Sequence, residues 1–270
     1  MGVSESLFTD DSMLRRVIRE QVVGLSGPRA LLMQAAHPVA FAGFFAHTGA
    51  LDEPYARLTR TARVLNLVAF GSADDARRAT RRVRAMHRRV RGELAEPAGR
   101  FRAGTPYSAD DPALLLWILA ALADSAAVVY QRYVGVLSAA ERESLWADYR
   151  IVGRQFGLRA ADMPPTWDDF RAYVLDMVEG EDLHVTGAAR ELAVQIVMRP
   201  PVPRRMRPVL ELANQITIGL LPPRLRRQYG FAWDPVRAVA IRSGAEYAKR
   251  FVVPFLPERL RVVRSARRAA

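Results

Sequence analysis

The chain contains no cysteine. That absence excludes disulfides, thiolate ligation, cysteine-based zinc sites and covalent c-type haem attachment. Lysine is nearly missing as well: Lys249 is the only lysine among the 40 basic residues, and the rest are arginine. So strong a skew, beside so much alanine, reads as compositional bias before it reads as a binding signal. Strand signals are almost absent. There is no Gly-x-Ser-x-Gly elbow, no Walker loop and no Gly-x-Gly-x-x-Gly after a strand, which disfavours serine hydrolysis and nucleotide-dependent catalysis. The four histidines show no His-x-x-x-His or His-Glu-x-x-His spacing,. Residues 1–11 lack the basic and apolar regions of a signal peptide; they match the loose Met-Gly-x-x-x-Ser myristoylation pattern, which is common by chance. The longest apolar run, Ala113 to Ala123, stops at Asp124-Ser125. Spanning a bilayer takes about 20 apolar residues, so this segment reads as a buried core helix, and no transmembrane helix is expected.

What is present is hydrophobic and helical. Half of the 270 residues are hydrophobic and the net charge is +12. Arginine is dense over 77–91, 199–207 and 259–268, and each cluster reads first as a solvated face. Caps, breakers and periodicity give helices over 13–25, 29–45, 55–70 and 76–91, then 108–133, 138–156 and 166–179. Residues 92–106 read as the first long loop. Four prolines among four arginines in 199–208 mark a linker or crossover. Helices resume at 209–220, 222–230 and 234–252, and 259–270 reads as a basic, frayed helix. The fold class expected is all-α: one large domain over 1–270, with a core at 14–250 and nine to eleven helices.

His87 is the main candidate for chemistry. In the arginine-coated stretch 76–91, the positions Ala76, Thr80, Val83, His87 and Val90 recur at steps of four, three, four and three. That is one helical face, and it points inward. An inward imidazole is either hydrogen-bonded in the core or bonded to a ligand. Arg57 and Thr61 form a second constellation, four apart on one face that continues through Val64 and Val68. An arginine there needs a counter-charge: a cofactor carboxylate or phosphate, or a core acid such as Asp124. His37, before Pro38, reads as structural, supplying a hydrogen bond that the proline removes. His47 reads as a helix C-terminal cap, and Glu181-Asp182-Leu183-His184 as a surface cluster at a helix end.

The order Leu31-Leu32-Met33-Gln34-Ala35-Ala36-His37-Pro38, His47, Arg57-Leu58-Thr59-Arg60-Thr61, Phe70-Gly71 and Met86-His87-Arg88-Arg89-Val90-Arg91-Gly92 resembles the DUF2236 family, the catalytic domain of rubber oxygenases (latex-clearing proteins) and MpaB-type oxygenases. The similarity runs on through Tyr107-Ser108, Leu114 to Trp117, Asp124-Ser125, Leu137 to Arg142 and Pro165-Thr166-Trp167. The resemblance implies a globin-like all-α core around b-type haem. It implies His87 as the proximal iron ligand and Arg57 and Thr61 on the distal side. The family's distal lysine matches Arg60, which is a poor iron ligand because it holds its proton. Its proposed base falls near Phe41, and a further histidine falls near Arg77. These departures argue against rubber as the substrate and leave haem binding with dioxygen or peroxide chemistry.

The resulting expectation is a haem-b oxidoreductase, an oxygenase acting on an apolar small molecule or lipid-like substrate. His87, Arg57 and Arg60 would hold the cofactor, Arg57 and Thr61 would serve catalysis, and residues 29–45 and 113–123 would wall the cavity. A cytoplasmic setting is expected, with possible peripheral membrane contact. The alternative is a non-catalytic haem- or lipid-binding protein at a membrane surface, suggested by 199–208 and 259–268. Nucleic acid is not an expected partner: no aromatic residue lies within 77–91, and no base-reading helix-turn-helix is present.

Overall fold

Helical periodicity read from the sequence is realised along most of the chain. The structure, a computed structural model, describes residues 6–46 and 54–269; the side chains of residues 44–60, Leu192 and Ala269 lie outside that description. The protein is 70% helical, with 14 α-helices among the described residues. This exceeds the nine to eleven expected, because two of the expected helices are each cut in two and residues 187–198 form one more.

The first such cut is at His37-Pro38. The expected helix 29–45 is two, α2 (Ser26–Ala35) and α3 (Pro38–Ala46), preceded by α1 (Met13–Ile18) and a 3-10 turn at Gln21–Leu25. Helices α4 (Pro54–Phe70) and α5 (Ala73–His87) follow as a hairpin. The expected loop over 92–106 is instead framed by a two-stranded antiparallel ribbon, β1 (Arg91–Glu93) and β2 (Pro106–Ser108), with Gly92 opposite Tyr107. Then come α6 (Pro112–Tyr133), α7 (Ala139–Phe156) and α8 (Trp167–Glu179). Helix α9 (Gly187–Met198) was not expected from the sequence, although Thr186 caps it by accepting from the Ala189 N–H. The C-terminal third holds α10 (Arg207–Leu220), α11 (Pro223–Gln228), α12 (Pro235–Tyr247), α13 (Glu258–Arg261) and α14 (Arg264–Ala269).

Helix α6 is the centre of the core. Asp111 caps it and Pro112 opens it. It packs on α2 through small side chains: Ala120, Ala121, Ala123, Ala126 and Ala127 are all buried, and so are Ala30 and Ala35 opposite. Small residues let the two backbones approach closely. By length and composition α6 is long and apolar enough to cross a membrane, but 67% of that apolar stretch is buried inside the protein.

Charge is buried at the same seam. The Arg29 guanidinium is 4% exposed and makes three contacts: Nη2 to Asp124 Oδ2 at 2.8 Å, Nη1 to Ser125 Oγ at 2.7 Å, and Nε to the Leu220 carbonyl at 2.8 Å. Arg171 of α8 reaches the other Asp124 oxygen from the surface. The network ties α2, α6, α8 and the end of α10. Asp124 therefore serves Arg29 and Arg171; Arg57, for which one reading of the sequence offered Asp124 as partner, has its side chain outside the described residues.

The C-terminal segment is fastened, where the sequence suggested a frayed helix. Arg261 grips the buried Glu20 with Nε at 2.9 Å and Nη2 at 3.2 Å. The Val263 N–H donates to the Arg19 carbonyl at 2.8 Å, and Val262 is 4% exposed. Ser265 Oγ reaches Asn66 Oδ1 on α4 at 2.9 Å.

Removing one partner of a buried pair strands a charge, at a cost of about 3–5 kcal/mol, whereas a half-exposed partner contributes about 1 kcal/mol or less. Arg29→Met should therefore destabilise by about 3 kcal/mol or more in a denaturant titration, and Arg171→Gln by about 1 kcal/mol. Equal losses would show that Arg29 does not carry the network.

Candidate functional site

The α4–α5 hairpin positions the candidate residues. Gly71 closes it: its N–H donates to the Leu67 carbonyl at 2.9 Å, and a Cβ there would stand 2.6 Å from that oxygen. Ser72 then caps α5, its Oγ accepting from the Asp75 N–H, with Asp74 and Asp75 in the first turn beside the positive end of the helix dipole,. The closed end is pinned from α1. Arg15, 7% exposed, donates through Nε to the Ala69 carbonyl at 2.7 Å and through Nη2 to Ser6 Oγ at 2.6 Å. Arginine suits this place because it neutralises the negative end of α4.

Burial declines along the hairpin toward its open end. On α5, Ala76 and Thr80 are buried, whereas Val83 and His87, and Val90 just beyond the helix, are half-buried. On α4, Val68 is buried, Val64 half-buried and Thr61 exposed. The inward stripe is thus realised at its start and emerges at its end. A two-residue connection turns α5 back along α4. It brings His87, the last residue of α5, to the same end as the first turns of α4, where Arg57, Arg60 and Thr61 sit. The Arg57 and Arg60 side chains lie outside the described residues, as does His47.

Helix α3 approaches this end. A Cβ on Gly43 would stand 2.9 Å from Val90 Cγ1 and 3.5 Å from the Tyr107 ring, so only glycine lets the helix come this close. Phe41 and Tyr107 are buried beside it. Of the two walls expected from the sequence, α3 stands near His87, while residues 113–123 of α6 pack mainly on α2 in the core.

His37 is structural, but in a different manner from that expected. Its Nδ1 accepts from the Ala40 N–H at 3.3 Å, so the ring caps α3 as an acceptor and does not donate to a freed carbonyl. The ring stacks on Phe101 at 5.4 Å, and Arg100 pairs with Asp182 nearby. Burial holds the imidazole neutral, lowering its pKa to about 4; Asp182 opposes that shift and Arg100 adds to it,. His184 is exposed, and its N–H donates to the Ala36 carbonyl at 2.7 Å.

No group of three or more His, Asp or Glu side chains fit to hold a metal ion occurs among the described residues. A bare catalytic ion needs about three protein donors. A macrocycle that brings its own four nitrogens needs one axial imidazole, and the His87 end supplies one at the edge of an apolar wall. The one imidazole described at this end is thus compatible with a macrocyclic cofactor,.

The family model described as the ER-bound oxygenase mpaB/B' and rubber oxygenase catalytic domain matches residues 15–250. The chain belongs to this family. It is thus an oxygenase-type catalytic domain, and the match spans both arms of the hairpin and the whole α2–α6 core. No curated protein and no solved structure matches the chain.

Sequence reasoning missed Arg29. The rule that singled out Arg57, an arginine on an apolar helical face, applies equally to Arg29, four residues before the buried Met33. It also missed the fastening of the C-terminal segment, whose partners Glu20 and Asn66 are far away in the chain.

Between about pH 6.5 and pH 4 the unfolded chain binds a proton at residue 37 that the fold refuses. His37 thus lends stability that is present above about pH 6.5 and lost as pH falls toward 4. His37→Asn keeps a capping acceptor but removes the titration. The wild type should lose roughly 2 kcal/mol more than His37→Asn between pH 7 and pH 5 in urea titrations. Parallel pH profiles would refute the neutral, buried assignment.

Proposed function

We propose that the chain is a haem-b-dependent oxygenase acting on an apolar small molecule or lipid-like substrate, with dioxygen or peroxide as co-substrate and His87 as the axial iron ligand. Its catalytic unit is residues 14–250. The observation that carries this reading is that one half-buried imidazole, His87, lies at the open end of the α4–α5 hairpin within an oxygenase catalytic domain. Bound haem would supply the activation of the oxidant.

The chain's own residues do the rest. His87 closes α5, where the C-terminal carbonyls give the helix a negative end,. That field raises the electron density of an imidazole placed there and favours its coordination to a cation. Thr61 offers a hydroxyl that can accept or donate a proton at its Oγ1. Arg57, one turn earlier, suits a cofactor carboxylate, because a guanidinium fork matches it with two parallel hydrogen bonds. Arg60 keeps its proton, so it holds negative charge and does not ligate iron. The apolar wall of Phe41, Val90 and Tyr107 excludes water and favours an apolar substrate over a polar one,.

His87→Ala should purify with its haem lost, or with an altered Soret band, while His184→Ala keeps the wild-type spectrum. Far-ultraviolet circular dichroism should report the same helicity for both variants. A His87→Ala protein with wild-type haem content and spectrum would overturn the ligand assignment.

A further inference from the structure

Exposed large apolar side chains are not spread evenly over this protein. Among the described residues, ten of the thirteen lie between Met206 and Leu260. Along α12 and the π-helical turn that continues it (Ala248–Val252), Val236, Val239, Tyr247 and Phe251 fall on one side of the helical path, at steps of three, eight and four. Val236 is 77% exposed, and the rings of Tyr247 and Phe251 touch at 5.4 Å. Phe255, 79% exposed, and Leu260 follow within the next nine residues of the chain. Scattered exposed apolar residues are ordinary, but a row of them on one face marks an interaction surface.

These side chains are held out on a fastened backbone. Val253, between Phe251 and Phe255, is buried, and Val262, just past Leu260, is buried and tied to Glu20 and Arg19 through its neighbours. Pro254 and Pro257 stiffen the same segment,. Phe255 and Leu260 therefore protrude from an ordered strap. Most of that strap lies beyond the family match, which ends at residue 250.

Positive charge borders the row. Leu260 opens into a groove of about 570 Å³ lined by Arg259, Arg264 and Arg267, with Gln21, Asn66 and Ser265 as its other polar residues. No carboxylate is among the lining residues. We infer that this face docks the protein on an anionic lipid bilayer: Phe251, Phe255 and Leu260 enter the headgroup–acyl boundary, and Arg259, Arg264 and Arg267 bind lipid phosphates. Aromatic and aliphatic side chains flanked by arginine are the composition that such a surface selects. A second copy of the chain is a poorer occupant, since a two-fold interface would bring both copies' arginine clusters into one contact. The inference does not rest on what the α4–α5 hairpin holds.

The test is co-sedimentation of the full chain with phosphatidylcholine vesicles and with vesicles rich in phosphatidylglycerol. Binding should appear only with the anionic vesicles and should weaken as salt shortens the reach of the charges. Arg259→Gln with Arg267→Gln should lower the partition coefficient roughly fivefold per arginine. Phe255→Ser with Leu260→Ser should also weaken binding while leaving the melting temperature unchanged, because both side chains are exposed. Full recovery in the supernatant at low salt would overturn the inference. So would vesicle binding that is indifferent to all four substitutions, or self-association abolished by Phe255→Ser without any vesicle binding.

Discussion

The carboxylate of Asp124 is the constraint on which the rest of the structure depends. It lies in the longest helix of the protein, on a largely apolar and buried stretch, where an isolated charge would be untenable,. Arg29 from α2 and Arg171 from α8 neutralise it, and Arg29 also donates to Ser125 and to the last carbonyl of α10, that of Leu220. Four helices are thereby fixed in register around one buried ion cluster. Apolar packing alone would tolerate several sliding arrangements of alanine-rich helices, because small side chains offer few interlocking shapes. The α2–α6 seam then sets where α3 leaves the core, and α3 in turn approaches the His87 end through Gly43.

The hairpin that carries the candidate site is organised in the opposite way. Its closed end is buried and bonded, with Arg15 and Ser6 holding the turn at Gly71. Its open end is less buried: His87 there is half-buried and Thr61 exposed. On the proposed function, the bonded end would define the angle between the helices and the open end would face the cofactor. His37 contributes only by ending α2 and starting α3, which turns the chain toward that open end.

Much of this was legible in the sequence where the signal is local. The four-three alternation through Ala76, Thr80, Val83 and His87 located α5 and its inward face, and Ser72 with Asp74 and Asp75 located its start. The family resemblance rested on the same short motifs. What escaped depended on distant partners. Arg29 became a core residue only because Asp124, ninety-five positions on, needed a counter-charge. Residues 259–270 read as a basic, frayed helix until Glu20, Arg19 and Asn66 are brought against them. Helix α9 was missed because Ala193 to Val197 is rich in β-branched residues that carry no helical preference of their own. The Thr61 turn was read as the continuation of a buried stripe, yet the stripe leaves the core before it reaches that residue.

The account comes down to a haem held at the open end of α4 and α5. The most direct measurement is the ultraviolet–visible spectrum of the purified protein, produced with haem precursor, before and after reduction with dithionite. A Soret band that shifts on reduction is the result expected of an imidazole-ligated b-type haem. A colourless protein that also leaves added haemin unbound would contradict the account and leave His87 a structural histidine at the end of an arginine-coated helix.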